Sequence, residues 1–175
     1  ETIKKSITIS GIEALPATEF VRDIAPILSK TGCNMGACHA TQHGQGGFKL
    51  SVFGFEPGAD REAIVRDRHQ RRTNMVAPEQ SLFLLKPTMT VPHGGGKRLA
   101  PNSVEHQTFI AWLKNGAPVP KKEPATVTAL SVFPKQRVGK QGLSQQLRVE
   151  ATYADGSVRD VTALALFDSM DESML

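Results

Sequence analysis

Cysteine is scarce: the 175-residue chain holds two, with one tryptophan and one tyrosine. No apolar run approaches the roughly 18 residues that a membrane span needs, which excludes a transmembrane helix. No basic face interleaved with aromatic or helical readers is visible, which argues against nucleic-acid binding. Internal repeats and low-complexity tracts are missing too. No signal peptide is visible at Glu1 and the chain starts without methionine, as a processed or excised fragment would. What is there is globular in character: 39% hydrophobic and 22% charged residues. The net charge of +4 is spread thinly, with local clusters at residues 66–68, 71–72 and 97–98. Basic groups in such numbers suit an acidic cofactor or an acidic electron-transfer partner.

The pattern predicts two regions. Phe20, Ile24, Ile27 and Leu28 recur at helical spacing and predict a helix over 17–29, capped by Thr18 and strained at Pro26. Residues 48–53 alternate like a short extended piece, residues 57–60 read as a turn or a helix start, residues 61–67 as a short helix, and residues 81–86 as a buried helical turn. Asn102, with Glu105 three positions on, predicts the start of a second long helix whose apolar side is Val104, Phe109, Trp112 and Leu113. Gly116 should stop it. Phe20 is expected to face Trp112. After a proline-containing linker at 117–125, the period changes to two. Leu147, Val149, Ala151 and Tyr153 alternate, and Asp155-Gly156 predicts a hairpin turn with a returning strand at 158–161. The expected fold class is therefore α+β in two modules: an all-α domain over 1–120 (core 17–117) and an all-β partial sandwich over 126–175. The second is short of the roughly 100 residues of a complete immunoglobulin-like sandwich and is expected to end before its last strands.

The chemistry concentrates at residues 33–39, where Cys33 and Cys38 are followed at once by His39. Two lone cysteines permit a disulfide, two free thiols, half of a metal site, or attachment of a haem through its vinyl groups with the adjacent histidine on the iron. The usual attachment spacing, Cys-x-x-Cys-His, puts both sulfurs on one helical face. Here four residues intervene. On a regular helix the second thiol would then sit about 140° away from the first, so the peptide between them must bulge, and Gly36 is the candidate for the needed backbone freedom. A closed zinc site would need four ligands. Cys33, Cys38, His39 and His43 supply that number, but neighbouring Cys and His rarely share a metal.

Around this motif the segments FVRDIAPIL (20–28), GGFKLS (46–51), PEQSLFLLK (78–86), VPHGG (91–95) and WLKNGA (112–117) follow in order. Over residues 17–120 the chain resembles the planctomycete-type cytochrome c domains. That resemblance implies an all-α, periplasmic, haem-bearing module with one covalent haem c on Cys33 and Cys38 and His39 as proximal ligand. The common distal loop of that family carries Met-Pro-Pro. This chain has Val91-Pro92-His93, and valine cannot ligate iron, so His93 is promoted to distal ligand with Met89 as the alternative. The segment LRVEATYADGSVRDVT (147–162) resembles a bacterial Ig-like domain of group 2, which implies an accessory module with no chemistry of its own.

Among the remaining candidates, Phe48 is expected to line the haem pocket. Arg71, Arg72 and Arg98 could pair with haem propionates, Arg98 being the one assigned to the cofactor site. Met35 and Met75 read as packing; His43, His69 and His106 as surface. The resulting expectation is a low-potential, bis-histidine electron carrier rather than an enzyme, lying outside the cytoplasm and serving a redox partner that the residues do not identify. Two rivals stand beside it: a haem-based gas sensor with an open iron site, and a haem-free interaction domain with a Cys33–Cys38 disulfide.

Overall fold

The first expected helix forms in two pieces. A computed structural model describes residues 17–124, 126–140 and 142–171; the outermost parts of the two expected modules, 1–16 and 172–175, lie outside the described residues. Phe20–Ile24 makes a wide π-helical turn, and α1 follows as Ala25–Lys30 with Pro26 in its first turn. Proline has no N–H to give and crowds the carbonyl four residues back. A widened turn just before it accommodates both defects. Thr18 is not the cap. The N-cap is Glu19, and the Asp23 carboxylate accepts the Glu19 N–H at 2.7 Å. Phe20, Ile24, Ile27 and Leu28 are all buried, as their spacing requires. Each such side chain contributes roughly 1.5–3 kcal/mol over leaving it in water.

Next come a short 3₁₀ turn at Val52–Gly54, where an extended piece was expected, then α2 (Pro57–Val65), a 3₁₀ turn at Pro78–Gln80, and α3 (Leu82–Leu85). The last helix, α4, runs Val104–Lys114. Its cap is Ser103, one residue later than expected: the Ser103 hydroxyl accepts the His106 N–H at 3.2 Å, while His106 Nδ1 accepts the Asn102 N–H at 3.3 Å. His106 therefore fills the reciprocal place in the capping box that Glu105 was expected to fill, and it is buried, not on the surface. Glu105 is drawn instead to Lys30 at 3.0 Å. Gly116, at φ +78°, ends the helix as expected. Trp112 is fully buried with its ring centre 5.5 Å from that of Phe20.

Three strands follow among the described residues: β1 (Val127–Phe133), β2 (Arg148–Tyr153) and β3 (Val158–Asp160), antiparallel in the order β1-β2-β3. Asp155 and Gly156 form the expected turn, with Gly156 at φ +80° and the Asp155 carboxylate accepting from the Ser157 N–H and hydroxyl.

The expected fold class does not hold. The described residues form a mixed structure of four short helices and one small antiparallel sheet, not an all-α module followed by an immunoglobulin-like sandwich. Two physical reasons account for this. Prolines and turn residues cut the helical half into pieces, of which only α2 and α4 exceed two turns. And the sheet has no facing sheet among the described residues, so β1 is exposed at six of its seven positions. The sheet instead leans on the helical part. Arg159 donates to Asp23 at 2.9 Å, Lys30 donates to the Ala163 carbonyl, and Leu164 packs against both hydrophobic clusters. No helix among the described residues is long and apolar enough to cross a membrane.

Candidate functional site

The segment between the cysteines is a loop that closes on itself. His39 N–H donates to the Cys33 carbonyl at 3.0 Å, and Cys38 and Ala40 N–H both donate to Met35 at 3.0 and 3.2 Å. Asn34, fully buried, holds the inner end: its side-chain Nδ2 donates to the Ser29 hydroxyl at 3.0 Å and its backbone carbonyl accepts the Phe53 N–H at 3.1 Å. Met35, Gly36 and Ala37 bow out into solvent. The glycine that the backbone requires is not Gly36 but Gly32, at φ +77°, which turns the chain out of α1 into the loop. The bow returns Cys38 to the same cavity wall as Cys33.

That cavity has a volume of about 640 Å³, inside the range of about 300–1,000 Å³ typical of small-molecule sites. Cys33, Cys38, His39, Phe48, His93 and Arg98, the residues singled out from the sequence, all line it. Met89 does not. It is 47% exposed, in a left-handed conformation at φ +62°. The apolar wall is a run of edge-to-face rings from Phe48 to Phe83 (6.3 Å) to Phe109 (5.1 Å). Phe109 thus serves the cavity as well as the core, and Phe83 was not anticipated.

The two histidines are prepared alike. His39 Nδ1 bonds the Phe48 carbonyl at 2.9 Å; His93 Nδ1 bonds the Gly96 carbonyl at 2.8 Å. A carbonyl only accepts, so each Nδ1 carries the proton and each Nε2 keeps a free lone pair. This is how metal-ligating histidines are usually oriented. Burial lowers the pKa of His39 and favours the neutral ring. Its chain position is fixed by Leu50 N–H, which donates to the His39 carbonyl at 2.8 Å. The His93 loop is clipped to the body by Arg98 and Leu99 N–H on the Pro87 carbonyl, at 2.8 and 3.0 Å. Gly95 cannot carry a side chain without shifting that ring, because a Cβ there would lie 3.0 Å from it. The ring centres of His39 and His93 are 6.4 Å apart with planes 17° from parallel.

Burial raises the pKa of the Cys33 thiol, which contacts the Thr31 hydroxyl at 3.2 Å. Among the described residues no group of three or more His, Cys, Asp or Glu side chains is placed to hold a metal ion, so the four-ligand zinc arrangement is not assembled. Two free imidazoles suit a metal whose other ligands belong to a macrocycle. The apolar wall, the two thiols that line the cavity and the basic side chains on its surface fit a haem. Comparison of the chain with protein-family models, with curated proteins and with solved structures returned no match.

Proposed function

We propose that this chain is an extracytoplasmic electron-transfer module of the planctomycete cytochrome c type, bearing one haem c. Cys33 and Cys38 would each add sulfur and hydrogen across one vinyl double bond, leaving two thioethers and requiring no oxidant. His39 and His93 would hold the iron through their Nε2 atoms. The carrying observation is the pair of histidines on one cavity, each with Nδ1 tied to a backbone carbonyl and Nε2 free, at 6.4 Å between ring centres.

A haem in this cavity supplies one-electron exchange between ferric and ferrous iron. The chain's residues do the rest. The Phe48, Phe83 and Phe109 rings keep water from the inner face. The Phe48 and Gly96 carbonyls hold the imidazole tautomers and raise their basicity as donors. Two imidazoles favour the ferric state more than an imidazole–thioether pair does, so a low reduction potential is expected.

The test is a pyridine haemochrome spectrum with intact mass on matured protein. The expected result is one haem per chain, retained through acid-acetone extraction. Colourless protein, or pigment lost to the solvent, overturns the proposal and leaves the haem-free reading. Ferrous protein is then exposed to carbon monoxide. No rapid binding is expected of the wild type, and rapid binding is expected of H93A, which keeps its thioethers. Rapid binding by the wild type would turn the reading toward a gas sensor.

A further inference from the structure

Among the described residues the cavity wall carries five cationic side chains, Arg68, Arg71, Arg72, Lys86 and Arg98, and no Asp or Glu. They are not equivalent. Arg72 is committed to the fold: it donates to the Ala63 and Gly47 carbonyls, pairs with Asp67 at 2.9 Å and lies over the Phe48 ring at 4.6 Å. Arg98 donates through Nε to the Gly95 carbonyl at 2.8 Å, and its charge reaches the Cys33 thiol. The side chains of Arg68 and Arg71 make no hydrogen bond or ion pair with the described residues.

Those two arginines are held by an uncommon piece of backbone. Arg68, His69 and Gln70 take φ values of +54°, +57° and +60°, three left-handed residues in succession without a glycine. The left-handed region disfavours each of them, and such strain persists only where the surroundings impose it. The turn brings the Arg68 guanidinium to the Gly47 side of the cavity, where a Cβ on Gly47 would lie 3.2 Å from it.

We propose that Arg68 and Arg71 form the clamp for the two carboxylates of the bound haem, an inference that rests on the haem reading above. In protoporphyrin the two propionates leave the macrocycle at the edge opposite the vinyl groups. Cys33 and Cys38 mark the vinyl edge, and Arg98 lies beside Cys33, so Arg98 belongs to that edge. Arg68, Arg71 and Lys86 are the cations left uncommitted for the other, and of these only the two arginines carry a planar fork. Their planar guanidinium groups match carboxylates two bonds at a time, and their charge holds the propionates ionised.

The experiment compares matured wild type with R68Q/R71Q and R68K/R71K. Haem content is read by pyridine haemochrome and reduction potential by spectroelectrochemistry across pH. Removing two positive charges from the haem edge should lower the potential of R68Q/R71Q at neutral pH. It should also move the acid-side break of its potential–pH curve to higher pH, because unpaired propionates bind protons more readily. R68K/R71K keeps the charge without the fork and should fall between. If the double glutamine variant does not mature, R68Q and R71Q are read singly for the same displacements. Full haem content with a curve superimposed on that of the wild type overturns the clamp alone. Absence of covalent haem from the wild type overturns the haem reading, and the clamp with it.

Discussion

The helical part and the sheet are built on different terms. The helical part encloses a cluster of fifteen buried apolar residues, from Phe20 to Ala117, and still leaves a cavity beside it. The sheet buries four, Val149, Ala151, Tyr153 and Val161, all from β2 and the start of the segment after β3. Three short strands with one half-covered face are marginal alone, and β1 shows exposed Val127, Leu130, Val132 and Phe133. The sheet therefore draws its order from the helical part through Arg159–Asp23, Lys30–Ala163 and Leu164, whereas the helical part tolerates strained turns at its cavity rim.

Trp112→Ala should break the stronger side of this comparison. It removes the largest fully buried side chain and should cost about 3–5 kcal/mol, read as a fall in the urea midpoint. Arg159→Ala attacks the seam. Asp23 is buried and loses a charged donor, so a cost of about 1–3 kcal/mol is expected. Hydrogen exchange should then accelerate at β2 and β3 amides while α4 stays protected. Equal loss in both would mean that the sheet does not lean on the helices. His69→Gly should act in the opposite direction, relieving one left-handed residue at an exposed site and raising the thermal midpoint by the equivalent of about 1 kcal/mol.

The smallest effect is one of pH. Asp60 is buried beneath the Ser51 N–H and hydroxyl, and burial raises its pKa above the ordinary range. A carboxyl whose folded pKa is raised binds its proton more tightly folded than unfolded. Its contribution therefore improves as pH falls through the folded pKa, and it carries its desolvation cost above that value. Asp60→Asn removes this dependence. The thermal midpoint of the variant relative to wild type should decline on acidification, and a constant offset across pH would show that Asp60 is not the titrating group.

Much of this molecule was legible in the order of residues. The apolar spacing of Phe20, Ile24, Ile27 and Leu28 found the inner face of the first helix, and Gly116 found the end of the last. Asp155-Gly156 found the hairpin. The adjacency of Cys38 and His39 pointed to the cavity wall before any wall was known. Other features were hidden because they depend on partners distant in sequence. Glu105 left its expected capping place for Lys30, and His106 filled it. Nothing in Arg68, His69 and Gln70 announces a left-handed turn, since no glycine marks it.

Local spacing and backbone chemistry were enough to show which side chains are apolar, where the last helix starts and stops to within a residue, and that a histidine directly follows the second of two thiols. Packing of the whole chain was needed to settle that the ring centres of His93 and His39 stand 6.4 Å apart, that Arg68 and Arg71 have no carboxylate partner among the described residues, and that the described strands form one leaning sheet and not a sandwich. Those outcomes are set by which surfaces are available to cover one another, and that is a property of the whole packed chain.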